Sequence, residues 1–440
     1  MILKFINREE ELNILNRSKE KSVLIYGRRR VGKTELIKQF IKGKKSFYFL
    51  CQKNRVNAEF ERFLRKFCTK FSTYVEAKNF EEFFEKIKNE DIIIVFDEFS
   101  YLVEKNPEVP SLFQYILDEL LKESNVKLIF CGSLIGTMES LLSYRSPLYG
   151  RIKLKIKLEP LKFKHLKGFL PTYTIDDLIK VYSCVGGIPA YLQEFDYKLS
   201  FSENLDRLFF NKYGFLYEDA ERILKDELRE PDIYLRIIES IANGETTLGR
   251  IASRSYVDIT NLPKYLRVLE SMGIIKRERS VIGKERVIRI HDKYFSFWSL
   301  FVYPYREEIE LGIFSFQEEK FNTYLGSVFE DVCKEFLIEA KLINFTKLGK
   351  WWHKSNEIDI IALNEKTKEI LFAECKWQSK VNAKKICKEL AEKSQYVQWH
   401  NDKRKESFVI FAKSFSRKIE EFEGRRVYCF DLRDLERIMK

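Results

Sequence analysis

Gly27-Arg28-Arg29-Arg30-Val31-Gly32-Lys33-Thr34 follows directly on the apolar run Val23-Leu24-Ile25-Tyr26 and leads into the helix-forming stretch Glu35 to Ile41. Strand, glycine-punctuated loop ending in Gly-Lys-Thr, then helix is the pattern of a phosphate-binding loop. Gly27 and Gly32 let the backbone curl so that successive N–H groups, from Gly27 through Arg28, Arg29, Arg30 and Val31, converge on anionic oxygens. Lys33 adds a mobile charge for the β- and γ-phosphates. The Thr34 hydroxyl suits Mg²⁺, and the helix directs its positive N-terminal end at the same anion. The expected ligands are ATP and Mg²⁺. A plain glycine-rich turn is the alternative, and the strand and helix on either side weigh against it.

A second element points the same way. Asp91-Ile92-Ile93-Ile94-Val95-Phe96-Asp97-Glu98 is an apolar, β-branched run ending in two carboxylates, as expected of a buried parallel strand that delivers acids to the C-terminal edge of a sheet. Asp97 is the candidate Mg²⁺ partner and Glu98 the candidate group that orients or deprotonates the attacking water. A solvated strand end is the alternative reading.

With 440 residues, 45% of them hydrophobic, the chain has length for two to four domains and ample core. Charges at Lys4, Arg8 and Glu9 argue against a signal peptide, and no apolar run approaches the roughly 20 residues of a membrane helix. The eight cysteines are dispersed without a C-x-x-C pair, which suits reduced thiols in a cytoplasmic protein. His165, His291, His353 and His400 lack the spacing of a zinc site. The net charge of +12 favours polyanions. From Lys380 to Lys418 eleven Lys/Arg stand against four Asp/Glu, with Tyr396, Trp399 and His400 among them. Such a stripe can follow a phosphate backbone, although a solvated helix face has the same composition.

Ser22 to Tyr26, Ser46 to Leu50, Ile92 to Phe96 and Val126 to Cys131 read as strands, with Ile152 to Leu158 a candidate fifth. Their alternation with helical segments predicts a three-layer α/β fold with a parallel sheet. After Pro160 the pattern becomes helical and is broken at Gly186-Gly187-Ile188-Pro189.

In this order the motifs resemble the archaeal ATPase family among the AAA+-like and STAND P-loop NTPases, over essentially the whole length. Phe5-Ile6-Asn7-Arg8-Glu9-Glu10-Glu11-Leu12 is similar to that family's F-x-x-R-E-x-E-L start, which implies that Arg8 lies beside the nucleotide base. Ser133, in Cys131-Gly132-Ser133, resembles a γ-phosphate sensor, with a loop-capping hydroxyl as the alternative. Leu148-Tyr149-Gly150-Arg151 resembles the family's L-Y-G-R, making Arg151 the candidate arginine finger or sensor and Arg145 the reserve. The resemblance implies that Pro189 lies against the base, whereas a helix–helix turn is the plain reading of its motif.

Pro231 to Ile290 forms a further unit. Ile233 to Ala242, Thr247 to Ser253 and Asp258 to Met272 have helical spacing, and the segments flanking Gly283 read as a hairpin. Together they predict a winged helix-turn-helix that presents Asn261, Lys264, Tyr265 and Arg267 to DNA. Local charge is 13 basic against 9 acidic from Arg229 to Lys293. Protein docking is the competing use of such a module.

The C-terminal region carries Glu330 in a helical stretch, Asp359 in Glu357-Ile358-Asp359-Ile360, and Glu374-x-Lys376 at the end of an apolar run. This resembles the PD-(D/E)xK nucleases, with Ile358 in the place of the motif's proline. Asp359 and Glu374 would bind Mg²⁺ or Mn²⁺, Lys376 would position or activate water, and Glu330 would support the metal site. A domain whose acids only cap strands is the alternative.

The expected boundaries are 1–160 for the P-loop ATPase core, 161–229 for a helical lid, 230–305 for the winged helix and 315–440 for an α/β restriction-endonuclease-like domain. The expected activity is Mg²⁺-dependent ATP hydrolysis coupled to DNA, possible in a homo-oligomer and without a membrane. A nucleotide switch controlling protein assembly and an ATP-regulated nuclease are the competing readings.

Overall fold

The computed structural model describes residues 5–438. The outer ends of the expected first and last domains, residues 1–4 and 439–440, lie outside the described residues, and so does the charge at Lys4. The chain divides into two compact units, Met1–Leu161 with Ile188–Ala190, and Lys162–Gly187 with Tyr191–Lys440. The segment expected as a helical lid is thus divided: most of it belongs to the second unit, while Ile188–Ala190 belongs to the first.

The first unit is built on β1 (Ser22–Tyr26), β2 (Ser46–Leu50), β3 (Ile93–Asp97), β4 (Lys127–Gly132) and β5 (Leu154–Lys157), in the order β2-β3-β4-β1-β5. All neighbours are parallel. Both faces are covered, which is why the strands read as continuous apolar runs rather than alternating ones. On one face Phe47, Phe49, Phe96 and Phe130 pack with Phe63. The other face is aliphatic, with Val23, Ile25, Val95 and Ile129. Parallel strands bring their C-terminal ends to one edge, so Gly27, Asp97 and Gly132 meet there although they are distant in sequence. β3 and β4 end one residue later than the sequence pattern suggests, and β5 is shorter.

In the second unit, helices Pro231–Ala242, Leu248–Ser255 and Leu262–Ser271 precede a hairpin of β6 (Ile275–Arg279) and β7 (Arg286–Ile290). The third helix begins at Leu262 rather than at Asp258. Asp258 instead accepts from the Thr260 N–H at 2.7 Å and stabilises the turn, while Pro263 fits the first helical turn. Farther on, helix Glu318–Ala340 leads into β8 (Lys347–His353), β9 (Asn356–Asn364) and β10 (Glu369–Lys376). β11 (Val381–Asn382) and helix Ala383–Ser394 follow, then β12 (Lys405–Ala412), β13 (Phe415–Arg417), β14 (Glu421–Phe422) and β15 (Arg425–Phe430). A mixed sheet has the order β14-β15-β12-β10-β9-β8, and β11 pairs separately with β13. Among the described residues no helix is long and apolar enough to cross a membrane.

Candidate nucleotide site and a second carboxylate cluster

Between β1 and helix Lys33–Ile41 the backbone makes the curl that the sequence implied. A Cβ at Gly27 would overlap the Leu158 carbonyl oxygen, and Gly32 has φ +95°, in the region open to glycine. The Lys33 ammonium lies under the loop and donates to the carbonyls of Gly27 at 2.8 Å and Arg28 at 2.9 Å. The Arg29 guanidinium donates to the Tyr101 hydroxyl at 2.9 Å. Arg30 has φ +71°, and Val31 is fully buried.

At the neighbouring strand end, buried Asp97 accepts from the Thr34 hydroxyl at 2.8 Å through Oδ2 and from the Glu98 N–H at 2.9 Å through Oδ1. The Tyr48 hydroxyl also donates to Oδ2. Burial and this bond to Asp97 push the Tyr48 phenol far above its ordinary range, so it stays a donor. Thr34 and Asp97 therefore converge as hard oxygen groups beside the phosphate-binding loop, a donor set that fits Mg²⁺. Glu98 has φ +53°, a left-handed conformation costing on the order of 1–3 kcal/mol for a residue with a side chain. Its Oε2 accepts from the Ser133 hydroxyl at 2.7 Å and the Ser133 N–H at 3.3 Å. Ser133 thus meets the candidate water-activating acid directly.

One expectation is corrected, that of Arg151 as a sensor within its own subunit, and Arg8 and Pro189 have the following places. Arg8 is 6% exposed and donates to the carbonyls of Glu159 at 2.6 Å and Val31 at 3.2 Å, and to Glu11 at 3.0 Å. It thereby ties the loop at Val31 to the segment that follows β5. Burial lowers its pKa, against the pull of Glu11. Pro189 stands by the loop's second glycine, its Cγ 3.9 Å from where a Gly32 Cβ would be. Arg151 is at the opposite edge of the sheet. Its carbonyl accepts from the hydroxyl of Ser22, the first residue of five-residue β1, about 16 Å from the loop at the rise of a strand. Its guanidinium pairs with Asp118 at 2.6 Å, so Arg151 cannot sense a phosphate within its own subunit. Arg145 is exposed.

In the second unit, β9 and β10 are antiparallel neighbours with Ile360 opposite Ala373. One step along that register puts Asp359 opposite Glu374, on one face of the sheet. Asp359 accepts from the Cys375 N–H at 2.8 Å. Glu374, 3% exposed, accepts through Oε1 from both Lys376 and Lys393 at 2.9 Å. Glu330 accepts from Lys350 at 2.8 Å. Burial, then the Asp359 charge, raises Glu330 to about 7 against the opposing Lys350. Burial and Glu374 raise Asp359 in turn. Burial works to lower Lys376, but Glu374 outweighs it and keeps the ammonium above its usual range. The four expected polar residues share one electrostatic neighbourhood. The two expected metal ligands are nevertheless engaged by protein donors, and among the described residues no three ligating side chains form a ready metal cage.

The basic segment is not one stripe. Arg404 is buried against Glu406 and backbone carbonyls, Lys393 faces Glu374, Lys413 pairs with Asp176, and Lys418 pairs with Asp431 and Asp434. Lys384, Lys385 and Lys388 remain exposed on helix Ala383–Ser394. On helix Leu262–Ser271, Lys264 and Arg267 are exposed, with Asn261 at its start, while Tyr265 packs edge-on to Tyr234 at 5.1 Å. Tyr48, Lys350 and Lys393 escaped sequence reasoning. Tyr48 had one signal, a polar tip within an otherwise apolar strand; the two lysines had none, because their partners come from other elements.

Residues 5–195 match a family described as an ATPase domain predominantly from Archaea, and residues 298–386 match archaea bacterial proteins of unknown function. The uncharacterized protein MJECL04 of Methanocaldococcus jannaschii is 38% identical over 450 residues, covering 98% of this chain and 99% of that protein. The uncharacterized ATP-binding protein MJ0423 of the same organism is 52% identical over 48 residues, which is 10% of this chain and 81% of that protein. Among solved structures, the Walker-type ATPase PABY2304 of Pyrococcus abyssi superposes with a TM-score of 0.53 at 22% identity. That superposition covers 67% of this chain and 96% of the other, and establishes likeness of fold.

Proposed function

This chain belongs to one family with Methanocaldococcus jannaschii MJECL04 and carries an archaeal ATPase domain; on that premise we propose that it is a Mg²⁺-dependent ATPase whose second unit handles DNA. The observation that carries the ATPase reading is the convergence of Thr34, Asp97 and Glu98 on the edge where the phosphate-binding loop ends. Lys33 and the loop amides would bind the phosphates, and Thr34 and Asp97 would hold Mg²⁺. The cation supplies charge neutralisation on the transferring phosphoryl group. Glu98, fixed by Ser133, would take a proton from the attacking water.

The DNA reading rests on the three helices and hairpin at 231–290, which have the element order of a winged helix with Lys264 and Arg267 exposed. Exposed Lys384, Lys385 and Lys388 add a second basic face. Steady-state ATP turnover with and without single-stranded, duplex and branched DNA tests the coupling. Stimulation by DNA that is lost in Lys33→Ala is the expected result. Turnover indifferent to every DNA, with nucleotide-dependent self-association, would favour a switch that controls assembly.

A second reading is favoured by one observation, the cluster of Glu330, Asp359, Glu374 and Lys376 around a paired antiparallel strand end. It has the composition of a nuclease-like phosphodiester site, in which the carboxylates would hold Mg²⁺ or Mn²⁺ and Lys376 would position water. Water would add to phosphorus as the P–O bond to the leaving strand breaks, its proton passing to that leaving oxygen. Incubation of labelled DNA with wild type and Asp359→Ala in either metal tests this. Cleavage by wild type alone is expected, and equal cleavage by both would refute it.

A further inference from the structure

Side chains of β2 alternate between the two faces of the first unit's sheet. Phe47 and Phe49 turn to the aromatic face, where Phe63 meets both rings edge-on. Tyr48 turns to the other face and packs against the cluster that contains Val23, Ile25, Val95 and Ile129. Among these aliphatic neighbours a phenylalanine would fill the same space, so packing explains the ring of Tyr48 but not its hydroxyl. β2 is the edge strand, parallel to β3, with Tyr48 opposite Val95 and Leu50 opposite Asp97. Tyr48 and Asp97 therefore lie on one face, two residues apart in register, and the phenol spans that step to reach the carboxylate.

Three donors meet on Asp97, which is buried. Oδ1 accepts from the Glu98 N–H at 2.9 Å, and Oδ2 accepts from the hydroxyls of Thr34, at 2.8 Å, and of Tyr48. A carboxylate oxygen has two lone-pair sites, so Oδ2 is filled and Oδ1 keeps one. The two hydroxyls on Oδ2 have different origins. Thr34 stands at the start of the helix that follows the phosphate-binding loop, and its oxygen is the one suited to a cation. Tyr48 comes from the edge strand and holds Asp97 independently of that loop.

We propose that Tyr48 is a positioning residue for Mg²⁺, fixing which oxygen of Asp97 faces the ion. With Tyr48 and Thr34 on Oδ2, Oδ1 is left to accept from a water of the ion's shell, which Mg²⁺ gives up reluctantly. Thr34 by itself would hold Oδ2 less firmly, because its own oxygen would also meet the ion, and the carboxylate could then turn. Partners that orient a metal-binding group from behind typically account for about 10–100-fold in metal affinity. The inference rests on the reading of this site as a Mg²⁺-dependent ATPase, and adds a residue that acts through Asp97 rather than on the nucleotide.

Mg²⁺ titration of the full chain with a fluorescent ATP analogue, wild type beside Tyr48→Phe, tests the proposal, and single-turnover ATP hydrolysis is followed over the same Mg²⁺ series. Tyr48→Phe keeps the ring and its packing and removes only the donor. The Mg²⁺ midpoint should rise about tenfold in both readouts. Analogue affinity in EDTA and the hydrolysis rate at saturating Mg²⁺ should stay close to wild type, so that the effect falls on the half-saturation point rather than on kcat. Phe47→Leu, which trims the opposite face of the same strand, is the comparator for a purely structural effect: it should lower Tm and leave the Mg²⁺ midpoint in place. An unchanged or lower midpoint in Tyr48→Phe, or an equal rise in Phe47→Leu, overturns the positioning role while the Mg²⁺-dependent ATPase reading stands. Hydrolysis by wild type that proceeds undiminished in EDTA would refute that reading, and this inference with it.

Discussion

The Ser133 hydroxyl donates to Glu98 Oε2 at 2.7 Å and so fixes the side chain of a residue whose backbone is already held at φ +53°. Two strand ends, β3 and β4, together hold one carboxylate in a geometry that neither would impose alone. Strain of this kind persists only where surrounding structure over-determines it.

Glu98→Gln keeps the size of the side chain and removes its basicity. ATP hydrolysis should fall by about 10²-fold or more, the usual contribution of a general base, while ATP binding is retained. Lys33→Ala should instead weaken binding itself. Fluorescent-nucleotide titration beside single-turnover hydrolysis separates the two, and equal ATP affinity in wild type and Lys33→Ala would refute the loop assignment.

Tyr48→Phe removes one of two hydroxyl donors from Asp97 Oδ2 and leaves a buried carboxylate less satisfied. Stability should drop by about 1–3 kcal/mol, the cost of an unmet buried polar group. Urea denaturation at neutral pH measures it. A change near zero would mean that Thr34 alone suffices.

Arg151 lies at the sheet edge far from its own loop, so an arginine-finger role would have to be exerted on a neighbouring subunit. In dilute protein that is monomeric by light scattering, Arg151→Ala should hydrolyse ATP at the wild-type rate. At concentrations where subunits associate, wild type should gain specific activity and the variant should not. A defect in the monomeric variant would contradict the geometry.

Glu330 and His291 give opposite pH dependences. Glu330 is raised to about 7, so the folded state holds a proton that the unfolded state releases above pH 4.5, and stability falls as pH rises from there to 7. His291 is lowered to about 4 by burial and by Lys276 and Lys293. Its contribution is present above pH 6.5 and is lost as pH falls towards 4. The two should largely offset each other between pH 4.5 and 6.5. Glu330→Gln removes the falling limb, so its Tm should climb through that window more steeply than that of wild type. Parallel Tm profiles would refute the assignment of Glu330.

Local sequence was enough for the first unit's strands and its loop, because Gly27 to Thr34 and Ile93 to Glu98 carry their chemistry within a few residues. Apolar β-branched runs and a glycine curl have few alternatives in backbone geometry. The element order of residues 231–290 was legible for the same reason, although the third helix begins at Leu262 rather than at Asp258. Tertiary structure alone decided the partners. Ser133 reaches Glu98, Tyr48 reaches Asp97, and Lys393 reaches Glu374, because parallel or crossing elements bring distant positions to one edge. It also decided that Arg151 faces away from the loop, since a strand's direction separates its two ends by its whole length. The docking of the β6–β7 turn on β8, where the Val281 N–H donates to the Lys350 carbonyl at 2.9 Å, belongs to the same class, since no periodicity or charge pattern encodes it.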